Sequence, residues 1–248
     1  MNFHRSSKKS QAKESTSTES PKEEDKQNNL FPIVGIGASA GGLEAFTQLL
    51  KYLPTDTGMG FVLVQHLNPQ QKSMLTEILS RTTQIPVTEV QEGMTVEPNH
   101  IYVIPPGATM TINQGVLKLQ PREKTYQQPM TVDSFFFSLA EDLKNKAIGV
   151  ILSGGDGDGT RGLERIKAEG GITFAQCEES AKVSSMPNTA VASGYVDFIL
   201  TPQQIAEKLA NLSSHPYIKH SKAVAQTEVM PEEKDGLLNP HSALQKVA

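Results

Sequence analysis

The sequence predicts an α/β domain, a doubly wound, mostly parallel sheet with helices on both faces and an appended β-hairpin. Three observations point to it. Apolar runs recur at Ile33–Gly37, Gly60–Gln65 and Ala147–Leu152, and runs without polar alternation belong to strands buried on both faces. Helical periodicity lies between them: Leu43, Phe46, Leu50 and Leu53 share one stripe, and Val132, Phe135, Phe136, Leu139 and Leu143 a wider one. Strand, helix, strand in that order implies a right-handed crossover, and therefore parallel strands.

Taken in order, the first strand covers about residues 32–37, and small residues from Gly37 to Gly42 force a sharp turn into a helix that Pro54 stops. The second strand, Gly60–Gln65, ends at His66, and Asn68-Pro69 breaks the chain. Met74, Leu75, Ile78 and Leu79 give the next helix its apolar face. Short runs follow at Pro86–Val90, Ile101–Ile104, Thr109–Ile112 and Val116–Leu119; Asn113-Gln114-Gly115 makes the last two a hairpin appended to the sheet. Gln120–Pro129 reads as a surface loop and Thr131–Lys144 as a helix. The strand Ala147–Leu152 runs into Ser153-Gly154-Gly155-Asp156-Gly157-Asp158-Gly159-Thr160, and the helix from about Asp158 to Ala168 ends at Gly170-Gly171, a left-handed cap. Strand 172–176, a short helix near 186–193 and strand 195–200 continue the alternation, and Thr201-Pro202-Gln203-Gln204 opens the last helix with a capping box.

The chain has 248 residues, 37% hydrophobic and 20% charged, enough to bury the core of one domain. Residues 1–29 are almost wholly polar and read as a disordered tail, 30–213 as the domain, and 214–248 as a flexible C-terminal tail. A net charge of −4 and a pI near 5.9 argue against nucleic acid as a partner. The single cysteine, Cys177, excludes an intrachain disulfide framework. No apolar run approaches the roughly 18 residues of a membrane span, and the polar start lacks the apolar core of a signal peptide. A cytoplasmic protein without membrane insertion is expected.

Gly37-Ala38-Ser39-Ala40-Gly41 fits a nucleophile elbow, which lifts a serine hydroxyl above the sheet and aims helix-start N–H groups at a developing oxyanion. A glycine-rich turn that binds phosphate, or merely turns, fits equally well. Ser39, His66 and Asp158 each follow a predicted parallel strand within a few residues, and in open α/β sheets those strand ends share one ligand-binding edge. Of the other histidines, His4, His215, His220 and His241 fall in the tails and His100 precedes its strand, which leaves His66 as the base. Asp156 and Asp158 both remain candidates for the acid; Asp133 and Asp142 lie in a helix and are expected to be solvated. A dinucleotide fingerprint over Gly35, Gly37 and Gly41 needs an acidic or basic residue after the second strand, where Gln65-His66-Leu67 stands. With no Gly-Lys-Ser/Thr and no metal-ligand spacing, neither a cofactor nor a metal is expected.

Together these motifs resemble the catalytic domain of the chemotaxis-type protein-glutamate methylesterases, the CheB family. Gly35-Ile36-Gly37-Ala38-Ser39-Ala40-Gly41-Gly42 resembles the family's serine motif, Val64-Gln65-His66-Leu67 its histidine motif, and Ile151–Gly159 its aspartate motif. Tyr102–Gly107, Gly170–Gln176 and Ser185–Ala190 add support, and the likeness spans about residues 31–212. It implies Ser39 as nucleophile, His66 as general base and Asp158 as the third member, with oxyanion donors from the backbone of Ala40 and Gly155. Gly155 stands where the family commonly has methionine, so a more mobile loop is expected. The implied substrate is a methylated chemoreceptor-like protein, whose glutamate γ-methyl esters are hydrolysed to release methanol, with glutamine deamidation as a side activity.

Typical members carry an N-terminal receiver domain; too few residues precede Ser39 for one, so control by a receiver within this chain is not expected. The Leu-Ser-Gly form of the aspartate loop resembles the version fused to a methyltransferase, which makes a fused or separate methyltransferase an expected partner. Two rivals stand beside this reading: a small-molecule serine esterase using the same residues, and a receptor-binding module that has lost catalysis.

Overall fold

In the computed structural model, residues 31–66, 74–122 and 130–213 are described. The predicted tails, Asn68-Pro69 and most of the predicted 120–129 loop lie outside the described residues. Seven strands form one sheet in the order β3-β4-β2-β1-β7-β8-β9. They are β1 (Ile33–Ala38), β2 (Gly60–Gln65), β3 (Val87–Glu89), β4 (Ile101–Val103), β7 (Ala147–Ile151), β8 (Ile172–Gln176) and β9 (Phe198–Leu200). Every pairing in this sheet is parallel. The chain starts at β1, moves outward through β2 to β3 and β4, then returns to lay β7 on the other side of β1. That reversal makes the C-terminal edge beside β1 the place where an open α/β sheet forms its crevice.

Side chains of β1 alternate between two cores. Val34, Ile36 and Ala38 face α1 (Gly42–Tyr52), α2 (Leu75–Ser80) and α6 (Pro202–Ser213), which contribute Phe46, Leu49, Leu79 and Ile205. The opposite face of the sheet meets α3 (Thr131–Leu143), α4 (Thr160–Ala168) and α5 (Ser185–Ala192) through Phe135, Phe136, Leu163 and Met186. On this side β1 carries glycine: a Cβ on Gly37 would stand 2.3 Å from Val132 Cγ1, and one on Gly35 would stand 2.8 Å from Phe136 Cε1. Two of the three glycines that mimic a dinucleotide fingerprint, Gly35 and Gly37, thus let α3 lie close on the sheet.

The hairpin joins β5 (Ala108–Asn113) to β6 (Val116–Pro121) through Gln114-Gly115, both at positive φ. It is appended as expected, as a separate two-stranded sheet packed on α3. Ser138 Oγ accepts the N–H of Ile112, and the Asp142 carboxylate accepts those of Gln114 and Gly115. Asp142 therefore holds the hairpin turn, contrary to its expected solvation. Strand β6 also runs through Gln120 and Pro121, which sequence assigned to a loop.

On α2 the buried stripe is Leu75 and Leu79, with Met74 and Ile78 exposed, and on α1 Leu43 is exposed. Gly170, at φ 83°, caps α4 as expected. At α6, Thr201 Oγ1 accepts the Gln204 N–H while Gln204 Oε1 accepts that of Thr201, the reciprocal capping box. No helix of the described residues is long and apolar enough to cross a membrane.

Candidate active site

The chain leaves β1 at Ala38 and must reverse into α1 within four residues, Ser39 to Gly42. The left-handed residue of this turn is Gly41, at φ 80°; Ser39 is not at positive φ. A Cβ at Gly41 would sit 2.5 Å from Ser153 Oγ, so both conformation and space demand glycine. The serine backbone is held from both sides. Its N–H donates to Ser153 O at 3.0 Å, and its carbonyl accepts from Gly42 N and from Gln65 Nε2 at 3.2 Å. Ser153, itself buried, donates from Oγ to Ala40 O at 2.8 Å. The hydroxyl of Ser39 then opens into a cleft of about 740 Å³, whose lining includes Ala40, Leu43, Gln65, His66 and Lys182.

His66 follows β2, the neighbour of β1, and its imidazole bridges two elements. Nδ1 lies 3.4 Å from Ser39 Oγ, and Nε2 lies 2.8 Å from Asp158 Oδ2. Asp158 arrives from the loop after β7, the other neighbour of β1, and is fully buried. Its Oδ2 also accepts the N–H of Val132 and its Oδ1 that of Asp133, each at 2.8 Å. The carboxylate thus caps the first turn of α3 while turning one oxygen to the imidazole. Asp133 is buried as well, contrary to expectation; its Oδ1 accepts the Gly162 N–H at 2.7 Å and so caps α4. Burial raises the Asp133 pKa above the ordinary carboxylate value, the Gly162 bond opposes the rise, and the charge of Asp158 adds to it.

Asp156 also reaches the imidazole: Oδ2 stands 3.4 Å from Nδ1, while Oδ1 accepts the Asp158 N–H at 3.0 Å. Burial lowers the pKa of His66, but the bond to Asp158 and the charges of Asp158 and Asp156 outweigh it, and the value lies above 6.5. Arg122, just past β6, opposes that rise; burial lowers its own pKa and the charge of Asp158 resists.

Of the two backbone groups expected to serve an oxyanion, Ala40 lines the cleft and Gly155 does not. Neither N–H donates to an acceptor among the described residues. Gly155 is exposed, and a Cβ there meets nothing within 4 Å. No group of three potential metal-ligating side chains occurs among the described residues.

Sequence reasoning missed Gln65, Ser153 and the second contact of Asp156. Gln65 had a readable signal, standing directly before the histidine at a strand end. Ser153 had none, because its partners Ala40 and Val183 are remote in sequence.

Residues 34–209 match the family model described as CheB methylesterase. The chain belongs to the CheB methylesterase family. Membership makes it an enzyme of the methylesterase class. Among solved structures, the Thermotoga maritima CheB methylesterase catalytic domain aligns with a TM-score of 0.68 at 32% identity, covering 74% of this chain and 99% of that one. A Leptospira interrogans relative is 31% identical over 186 residues, 75% of this chain and 96% of its own length. The Myxococcus xanthus protein-glutamate methylesterase/protein-glutamine glutaminase 1 is 32% identical over 185 residues, and the chain spans 54% of it. A similarly named Burkholderia pseudomallei enzyme is 35% identical over 188 residues, with 55% of its length covered. The CheB match thus coincides with the seven-stranded domain and contains Ser39, His66 and Asp158.

Proposed function

We propose that this chain hydrolyses glutamate γ-methyl esters on chemoreceptor-like proteins, releasing methanol, and deamidates glutamine side chains by the same route. The observation that carries the reading is the continuous path from Ser39 Oγ through the imidazole to a buried carboxylate, opening on a cleft.

In the resting state Nε2–H donates to Asp158 and the lone pair of Nδ1 faces Ser39. The Ser39 hydroxyl gives its proton to Nδ1 as Oγ attacks the ester carbonyl. The tetrahedral oxyanion takes hydrogen bonds from the N–H of Ala40 and, after loop adjustment, of Gly155; each such donor is worth about 10²- to 10³-fold in rate. Its collapse expels the methoxy group, which takes the proton from Nδ1 and leaves as methanol. Water then gives a proton to Nδ1 and attacks the acyl-enzyme; Ser39 recovers the proton and the glutamate carboxylate is freed. With a glutamine side chain the leaving group is ammonia. Because the ester must first be made, a methyltransferase acting on the same glutamates is the required partner activity.

The test is methanol release from a methylated receptor, set against a simple aryl ester. The wild type is expected to prefer the receptor, and S39A to lose release by about 10⁶-fold while its stability stays within about 0.5 kcal/mol. Equal methanol release by wild type and S39A would end the hydrolase reading, and a strong preference for the aryl ester would end the substrate assignment.

A further inference from the structure

Nδ1 of His66 has two neighbours that ask opposite things of it. Ser39 Oγ, at 3.4 Å, is a hydroxyl that donates to an unprotonated nitrogen. Asp156 Oδ2, also at 3.4 Å, accepts only, and so pairs with that nitrogen when it carries a proton. Nε2 is committed to Asp158 in either state. One proton on Nδ1 therefore decides which neighbour it serves.

Building on the hydrolase reading, we propose that Asp156 is a positioning residue that sets the base strength of His66 by taking the Nδ1–H formed when Ser39 gives up its proton. The transfer balances with no further reactant: the proton leaves Ser39 Oγ, arrives at Nδ1, faces Asp156 while the tetrahedral species lasts, and goes out with methanol. Asp156 suits the task because its side chain, 27% exposed, stands at the rim of the buried His66–Asp158 pair, within 3.4 Å of Nδ1. Its other oxygen accepts the Asp158 N–H, which fixes the carboxylate beside the ring.

The charged groups around His66 come from four parts of the chain. Asp156 and Asp158 approach from the β7–α4 loop and Arg122 from the end of β6, while Lys182 and Glu44 line the cleft that the ring borders. Burial and Arg122 disfavour the charged ring, the two acids favour it, and the balance falls on the charged side. The cost of a stronger base is a smaller neutral fraction at low pH. Asp156 thus exchanges activity in mild acid for a better-stabilised transition state above it.

D156N isolates the charge, because the asparagine oxygen still accepts the Asp158 N–H. The full chain, labelled at histidine ring carbons, is titrated by NMR with His66 assigned from the signal missing in H66Q, and methyl-ester hydrolysis is followed over the same pH range. In D156N the imidazolium is expected to dissociate about fivefold more readily, the effect of one charge about 4 Å away in a water-like dielectric. The acid limb of kcat/KM should move to lower pH by the same interval and the plateau should fall. D156E, which retains the charge, should retain a high midpoint.

An unmoved His66 midpoint in folded D156N overturns the proposal. A D156N chain that fails to fold overturns it too, since the residue would then serve only its turn. A midpoint that moves while even the wild type releases no methanol leaves the pair standing and defeats the hydrolase reading instead.

Discussion

Replacing Asp158 tests whether the acid of the site is also a structural cap. Its two oxygens accept three donors, the Val132 N–H and His66 Nε2 on Oδ2 and the Asp133 N–H on Oδ1. Alanine leaves the two buried backbone N–H groups at the start of α3 without acceptors. At about 1–3 kcal/mol for each orphaned donor, D158A should lose about 2–6 kcal/mol, a large part of the ~5–15 kcal/mol that holds a domain folded. Asparagine has one oxygen and one NH₂ for the same three donors. The favoured flip puts the oxygen toward Val132 and His66 and opposes the NH₂ to the Asp133 N–H, one donor–donor contact, so D158N should lose about 1–3 kcal/mol.

Urea unfolding at neutral pH measures these losses as midpoint shifts at constant slope. The reference is S39A, whose hydroxyl caps nothing. The expected order of stability is wild type and S39A together, then D158N, then D158A. Under the proposed mechanism methanol release should fall about 10⁴-fold in both Asp158 variants, the loss that acid-to-amide changes cause in serine triads. A D158A chain as stable as S39A, within about 0.5 kcal/mol, would refute the capping argument whatever its activity.

Two glycines should respond in opposite ways. Gly41→Ala meets a left-handed φ of 80° and an oxygen 2.5 Å from the new Cβ; left-handed backbone alone costs about 1–2 kcal/mol, so thermal unfolding should show Tm lower by at least about 3 °C, with reduced methanol release as the Ser153 bond to Ala40 shifts. An unchanged Tm would mean that the turn is not built as described. Gly155→Ala meets nothing within 4 Å and should leave Tm equal or slightly higher, through a stiffer unfolded chain. Methanol release should stay within about threefold of wild type, and a tenfold loss would show that the loop needs glycine to act on the oxyanion.

Most of the sheet was legible because its central strands β1, β2 and β7 are almost wholly apolar and its helices striped, and those patterns answer to burial alone. Ser39, His66 and Asp158 could be nominated for a related reason: parallel strands deliver the residues after them to one edge, so chain position stands in for space. The same logic failed where a side chain serves a remote backbone. Asp133 and Asp142 look like solvated positions of α3, since helical periodicity says nothing about a neighbouring element whose N–H groups need an acceptor. Asp133 instead accepts from Gly162, and Asp142 from the hairpin turn. Gly35 and Gly37 were ambiguous between a ligand turn and close packing, and only the approach of α3 to β1 separates the two.

The uncertainty between Asp156 and Asp158 has a physical origin of the same kind. Both residues precede α4, and an aspartate in that place ordinarily caps the helix that follows it. The fold crosses the caps instead: Asp158, in front of α4, holds the N-terminus of α3, and Asp133, inside the first turn of α3, holds that of α4. Two helix starts, each with positive partial charge, are thereby locked together by two buried acids. Asp158 Oδ2 is shared between a helix start and the imidazole. The raised pKa of Asp133 reflects what this arrangement costs, a carboxylate held by burial near the charge of Asp158. That cost gains a rigid acid for the site, because Asp158 cannot swing from His66 without uncapping α3. Asp156, held beside the ring by the Asp158 N–H, is anchored to the same loop that carries this acid.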